Sequence, residues 1–311
     1  MKVLKLGTRG SKLALWQAEY VKQQLILAVD NIEVEIKVIR TKGDKILDVA
    51  LSKIGDRGLF TKEIENELLA GNIDLAVHSM KDMPSVLAEG LCVGAVLERE
   101  DAADVLLSHK GYTLDELPEK AIVGTSSLRR IAQLKAFRPD LQMVDIRGNV
   151  ETRLRKMIEQ DMDGIVLAYA GVRRLGFEKE ITQKLPFELI LPAVGQGAIA
   201  IENRKNDQGV QDIVSKINNE NAWFSTKAER SFLAELEGGC QVPIACNASL
   251  IGGKITIHGL VASLNGLQVI KGSCSGSKSE AKELGKELAQ SLLQDGAGEI
   301  LEEINNMGEM R

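Results

Sequence analysis

Two stretches of this 311-residue sequence place hydroxyls and arginines between a short apolar run and a helix-like pattern. "LGTRGSKLALW" (6–16) carries Thr8, Arg9 and Ser11, and "VGTSSLRRIAQL" (123–134) carries Thr125, Ser126, Ser127, Arg129 and Arg130. A helix N-terminus offers unbonded N–H groups and the positive end of its dipole. Hydroxyls and guanidiniums beside it complete a site for carboxylate or phosphate. Either stretch alone reads equally well as ordinary helix capping with solvated arginines. Two such stretches, far apart in sequence, point instead to an anion-binding cleft. "DIRGNVETRLRK" (145–156) adds Arg147 and Arg153, while Arg155 and Lys156 read as a solvated face. "LSKIGDRGLFTKE" (51–63) adds Lys53 and Arg57 in a glycine-flanked loop with the make-up of a lid. So many cations near one another call for a polyanionic ligand, and the planar fork of arginine suits carboxylates.

Two further positions could carry covalent or proton chemistry. "DLAVHSMKDMP" (74–84) ends an apolar run with His78, Lys81 and Asp82 ahead of a proline. Strand ends are where α/β folds place reacting groups. A carboxylate there, among cations, suits a developing positive charge or a protonated amine, although Asp82 serves equally well as a turn former paired with Lys81. His78 reads as a packed or capping histidine. "LEGGCQVP" (236–243) sets Cys240 after two glycines at the end of a helical pattern. The C-terminal end of a helix dipole disfavours a thiolate, and no histidine lies nearby in sequence to act as its base. That argues against a hydrolase-type nucleophile and for a sulfur alkylated once that then holds its adduct.

Other chemistries find less support. Three dispersed histidines and four cysteines without paired spacing argue against a metal site or a disulfide framework. Cys92 and Cys274 read as small core residues. "GQGAIA" (195–200) has dinucleotide-binding spacing, but the residues that follow alternate like a strand where the fingerprint needs a helix. No Walker-type phosphate loop occurs. A net charge of −5 argues against general nucleic-acid binding.

The elements that must position these residues alternate. Strands are expected at 3–6, 34–39, 73–77, 92–97, 121–124, 143–146 and 164–168, with amphipathic helices between them. In the first helix Leu13, Trp16 and Tyr20 share a face. This is an α/β pattern of two lobes. "EREDAADVLLS" (98–108) reads as the crossover from the first lobe to the second, and "LPAVGQGAIAIEN" (191–203) as the return. Beyond about residue 220 the character changes. A helix is expected to end at Gly238-Gly239, and hairpin signals follow at Gly252-Gly253 and Asn265-Gly266, then a long helix. The expected architecture is thus two α/β lobes and a smaller α+β domain, with boundaries at 1–98 plus 198–217, 103–193 and 220–311. No run is apolar enough to span a membrane, and the N-terminal residues lack a signal-peptide pattern, so a cytoplasmic protein is expected.

Taken in order, TRGSKLALWQ, KGDKILD, GLFTKEIE, DLAVHSMKDMP, EREDAADV, GTSSLRR, DIRGNVETRL, LAYAGVRRLG, LPAVGQGAIAIE and LEGGCQVP resemble the porphobilinogen deaminase (hydroxymethylbilane synthase) family along nearly the whole chain. The resemblance implies two periplasmic-binding-protein-like lobes and a third domain carrying a cofactor. It implies a transferase of tetrapyrrole (haem and porphyrin) biosynthesis. Such an enzyme joins four porphobilinogen molecules head to tail, with loss of ammonia, and hydrolyses off linear hydroxymethylbilane. The first unit is added to a dipyrromethane primer held as a thioether on Cys240. Asp82 matches the catalytic aspartate that assists loss of ammonia and stabilises the cation formed. Arg9, Ser11, Lys81, Ser127, Arg129, Arg130, Arg147 and Arg153 match positions that bind the pyrrole carboxylates or support the reaction. Lys53, Arg57 and Phe60 fall in the family's active-site loop, where position 57 is more often lysine. The family further implies a monomer, and the histidine spacing, net charge and lack of a membrane-length apolar run already argue against metal, nucleic-acid and membrane partners. Two other readings stand beside it. A non-enzymatic binding protein would explain the cations but not Cys240 or the third domain. A thiol acyltransferase would need a base for Cys240 and loss of the adduct at each turnover.

Overall fold

The computed structural model describes residues 2–45, 61–236 and 242–309. Lys53, Arg57, Phe60 and Cys240, together with the expected helix stop at Gly238-Gly239, lie outside the described residues. The chain divides into two compact units, Met1–Glu100 with Gly197–Trp223, and Asp101–Gln196 with Phe224–Arg311.

The first unit is built on β1 (Lys2–Thr8), β2 (Ile32–Val38), β3 (Leu75–Ser79), β4 (Leu91–Val96) and a strand from later in the chain, Ile199–Arg204. β1 lies parallel between β2 and β3, and the late strand runs antiparallel between β3 and β4. Helices α1 (Lys12–Ala28), α2 (Lys42–Lys45) and α3 (Lys62–Leu69) follow β1 and β2. Leu4, Leu6, Leu75, Val77, Ile199 and Ile201 join Val21 and Leu25 of α1 in one buried cluster. Ile73, Ala76 and Leu91 pack on Ile64 and Leu68 of α3 in another. Burial on both faces explains why the central strand β3 reads as an apolar run, whereas β2, at the edge of the sheet, alternates. The buried face of α1 is Gln17, Ala18, Val21 and Leu25 rather than the Leu13–Trp16–Tyr20 face expected from spacing. Trp16 is exposed and its ring stacks on Tyr20 with centroids 5.3 Å apart. Tyr20 packs against the rim of the core cluster, Trp16 lies outside it, and the smaller face packs on the sheet.

The second unit holds β5 (Asp104–Leu107), β6 (Ile122–Gly124), β7 (Gln142–Val144), β8 (Gly164–Ala168) and β9 (Ile181–Lys184), in the order β7-β6-β8-β5-β9. β6 is parallel to β7 and β8, and β5 is antiparallel to β8 and β9. Alternate residues of β5 serve opposite faces. Leu106 joins Val123, Leu134 and Val166, while Val105 and Leu107 join Ile146, Ile165 and Leu167. Helices α4 (Leu128–Phe137), α5 (Val150–Glu159) and α6 (Tyr169–Arg174) complete the layers. The late strand of the first unit is β10, and it confirms that Ile199–Arg204 after "GQG" is a strand. Helix α7 (Gln208–Ser215) and helix α8 (Glu220–Glu235) follow it.

After α8 come β11 (Ile244–Ile251), β12 (Lys254–Ala262) and β13 (Val269–Ser277), an antiparallel meander, then α9 (Ala281–Leu292) and α10 (Gly298–Glu309). Gly252 and Gly253, both at positive φ, close the first hairpin, as the sequence signal requires. Phe232 of α8, fully buried, anchors a core with Ile255, Ile257, Leu288 and Leu292. The meander also packs on α4, where Ala132 meets Ala245, Leu260 and Ala262. Cys246 is fully buried in the core. Cys92 and Cys274, expected inside, are only half-buried, and burial pushes both thiols up.

Candidate functional site

In the first unit the register Leu6↔Leu75 and Gly7↔Ala76 puts the carboxyl ends of β1 and β3 side by side. Arg9 and Ser11 follow one of these ends, and Lys81 and Asp82 follow the other in a 3-10 turn at Met80–Asp82. Ser11 is the N-cap of α1, its hydroxyl accepting from the Ala14 N–H at 3.3 Å. Capping accounts for the hydroxyl here without a ligand. Gln17 of α1 donates to Ser79 Oγ at 2.9 Å, which ties the helix to the end of β3. Lys81 is half-buried and Asp82 exposed, so the carboxylate is open to solvent at the edge of the sheet. His78 is buried, with Nε2 3.0 Å from Oε2 of the fully buried Glu202. It is packed, as its position in an apolar strand suggested.

In the second unit the parallel register of β6 and β7 sets their ends side by side in the same way. Ser126 crosses between them. Its hydroxyl donates to the Ile146 carbonyl at 2.7 Å and accepts from the Ile146 N–H at 3.1 Å. Ser127 is the N-cap of α4, yet its side chain makes no capping bond, so the first N–H groups of that helix keep their donor capacity. Arg147 is half-buried and donates to Asp145 at 3.3 Å, and Arg153 donates to the Gly148 carbonyl at 2.8 Å. Asn149 caps α5 by accepting from the Thr152 N–H at 2.8 Å.

Arg129 and Arg130 are deeply placed, at 5% and 6% exposure, and both reach Asp104, which is wholly buried at 0%. Arg129 Nη1 donates to Asp104 Oδ2 at 2.7 Å and to the Leu191 carbonyl at 2.8 Å. Arg130 Nη2 donates to Asp104 Oδ1 at 2.6 Å, and its Nη1 donates to the Val166 carbonyl at 2.9 Å. Gln196 adds a bond from Nε2 to Asp104 Oδ1 at 2.9 Å. Burial alone would push the Asp104 carboxyl up. The two guanidiniums overcome that and hold it well below the ordinary carboxylate range. Burial also pushes the Arg129 guanidinium down, Asp104 opposes this, and a guanidinium remains a cation throughout. The sequence reading missed Asp104, which lies inside the stretch read as a crossover. Its signal is faint: a lone acid heading the four-residue strand DVLL.

Two family models match the chain. One is described as "Porphobilinogen deaminase, dipyromethane cofactor binding domain" and covers residues 4–212. The other is "Porphobilinogen deaminase, C-terminal domain" and covers 223–294. The porphobilinogen deaminase of Syntrophomonas wolfei is 63% identical over 301 residues, covering 97% of this chain and 98% of that protein. The chain belongs to the porphobilinogen deaminase family. The porphobilinogen deaminase of Carboxydothermus hydrogenoformans is 53% identical over 299 residues, covering 96% of each chain. Among solved structures, the BvgS VFT2 domain of Bordetella pertussis is similar at a TM-score of 0.42 and 16% identity, covering 69% of this chain and 86% of that one. Membership makes the chain an enzyme, porphobilinogen deaminase (EC 2.5.1.61), of porphyrin and tetrapyrrole biosynthesis, with a dipyrromethane cofactor and porphobilinogen as substrate.

The residues fit such a cofactor. Each pyrrole unit brings two carboxylates, so the primer is a compact polyanion. Around Asp104 two buried guanidiniums face one carboxylate, which leaves one positive charge in excess, and Nε of each arginine is buried without an acceptor. The helix that carries them begins at Ser127, whose hydroxyl accepts from none of the helix's first N–H groups. Such a donor set matches carboxylates and does not match a metal; among the described residues no acid, histidine or cysteine cluster could hold an ion. No described helix is long and apolar enough to cross a membrane.

Proposed function

We propose that Asp82 and Lys81 carry the chemistry and that the edge cations hold the carboxylates of primer and substrate. The observation that carries this reading is the exposed Asp82 carboxylate at the end of β3, beside the β1 end that bears Arg9. When porphobilinogen, protonated on its amine, loses that group, the C–N bond breaks with its electron pair leaving on nitrogen as neutral ammonia, and the carbon keeps the positive charge. A fixed carboxylate next to that carbon lowers the barrier by electrostatic stabilisation. Lys81 neighbours this carboxylate and supplies a cation to a substrate carboxylate. Arg9 and Ser11 in the first unit, and Arg147 and Arg153 in the second, orient substrate carboxylates, while Ser127, Arg129 and Arg130 serve those of the primer. The dipyrromethane, bound through Cys240, would supply the nucleophilic pyrrole carbon to which the first ring is joined, each later ring joining the one added before it. Lys53, Arg57 and Phe60 form the active-site loop, and arginine at 57 keeps the charge usual there.

The domain boundaries we assign are 1–98 with 198–217, 103–193 and 220–311. Separate hydrophobic clusters on the three sheets support this division. We also assign a monomer in the cytoplasm, in keeping with the free thiols of Cys92, Cys246 and Cys274. Light scattering of the pure protein and cell fractionation test those two assignments.

Asp82→Asn tests the central role. Asp82 is exposed, so the variant should melt where the parent does, while kcat falls by about a hundredfold or more. Consumption of porphobilinogen at near-parental rates would remove Asp82 from the mechanism.

A further inference from the structure

We infer that Asp104 is a positioning residue that sets the aim of both arginines at the start of α4; the inference rests on the reading in which those arginines serve primer carboxylates. Its carboxylate spans the pair, one oxygen to Arg129 Nη1 at 2.7 Å and the other to Arg130 Nη2 at 2.6 Å. A carboxylate with an arginine on each oxygen fixes two planar forks at once, because each bond is short, charge-assisted and shielded from water. The remaining contacts extend the same framework. Leu191 O takes Arg129, Val166 O takes Arg130, and Gln196 Nε2 bonds Asp104 Oδ1 and the Ala102 carbonyl, the latter at 2.7 Å. Gln133, one turn along α4, donates to the Leu191 carbonyl at 3.0 Å and accepts the Leu191 N–H at 2.8 Å. The turn holding Gln196 is fixed in its own right, since the adjacent Gly195 N–H donates to the buried Glu229 carboxylate at 2.7 Å. That carboxylate also accepts the Ala248 N–H at 2.7 Å, so the turn and the meander share one anchor.

Asp104 touches neither substrate nor reacting atoms. Its part is to convert two long, mobile cations into one oriented cationic edge carrying a net positive charge. Ordering two arginines beforehand removes a cost that binding would otherwise bear. Loss of the carboxylate should therefore weaken recognition more than the chemical step.

The test compares Asp104→Asn with Leu117→Ala, a destabilised control in the core of the same unit whose side chain takes no part in the hydrogen-bonded network of Asp104 and the arginines. Intact mass first gives the fraction of each preparation carrying the covalent adduct, and rates are then normalised to that fraction. For Asp104→Asn we expect reduced occupancy and KM for porphobilinogen raised by about tenfold or more, with kcat changed less. Leu117→Ala should keep the parental occupancy and KM. Should Asp104→Asn fail to fold, Gln196→Met, which removes the amide and its bonds to Asp104 and the Ala102 carbonyl while leaving the carboxylate, is expected to raise KM by about threefold. Parental KM and occupancy in Asp104→Asn, or in Gln196→Met where that is the variant read, would overturn the inference, as would equal shifts in Leu117→Ala. Failure of the parent protein itself to consume porphobilinogen would strike the underlying reading instead, so the two failures are distinct.

Discussion

At the scale of single residues, the densest arrangement is the buried trio of Asp104, Arg129 and Arg130. Removing one member of a buried charge network leaves its partners desolvated and unpaired, which costs about 3–5 kcal/mol. Asp104→Asn should lower stability by that order at neutral pH, as a denaturant midpoint will show. The pH dependence has a definite sign. The folded state holds the Asp104 carboxyl below its unfolded value of about 3.9, so its contribution is present above that pH. It is lost as pH falls from about 4 towards the depressed folded value. The stability difference between parent and Asp104→Asn should accordingly shrink on acidification below about pH 4; a constant gap would contradict the assignment. The sequence marked Arg129 and Arg130 but not the group that holds them. Asp104 lies 25 residues before Arg129, and only the pairing of β5 with β8 brings the two together. Ser11 and Ser127 show the reverse limit. Both read alike as hydroxyls before a helix, yet Ser11 spends its oxygen on the Ala14 N–H whereas Ser127 makes no capping bond.

At the scale of elements, helix α4 is held at both ends. Its first turn is fixed through Asp104, and its body is clasped by the β12–β13 turn. Gly266 in that turn has φ +73°, and a Cβ there would lie 2.3 Å from the Ala132 carbonyl oxygen and 2.8 Å from the Ala136 nitrogen. Both neighbours are backbone, so neither gives way cheaply. Gly266→Ala should therefore cost about 2 kcal/mol or more, from the left-handed backbone and from overpacking together. A denaturant midpoint equal to the parent's would show that the turn does not grip the helix. All seven strands expected in the lobes are present: central strands such as β3 and β8 read as unbroken apolar runs because both faces are buried, whereas the edge strand β2 shows in its alternation. Two more were not legible. β5 is four residues long and follows an acidic stretch, and β9 reads ITQK, an edge strand with little apolar signal. The shifted face of α1 has its own cause, since Trp16 stands outside the core and Tyr20 reaches only its rim, while Ala18, Val21 and Leu25 are fully buried.

At the scale of the whole molecule, each of the first two sheets carries cations of its own after its strand ends, and the meander with its helices supports α4 and continues from the segment that bears Cys240. The thiol and the loop at 53–60 lie outside the described residues, so their place in the account comes from sequence and family alone. Cys240 is also where the account is most exposed to refutation, because everything assigned to the cationic edges presumes a tethered polyanion. The most direct measurement is the intact mass of the purified protein under denaturing conditions, beside a Cys240→Ser control. The account predicts a covalent excess equal to two linked pyrrole units, absent from the control, with further gains of one pyrrole unit each on brief exposure to porphobilinogen. A protein at its bare polypeptide mass that stays there when porphobilinogen is added would contradict it.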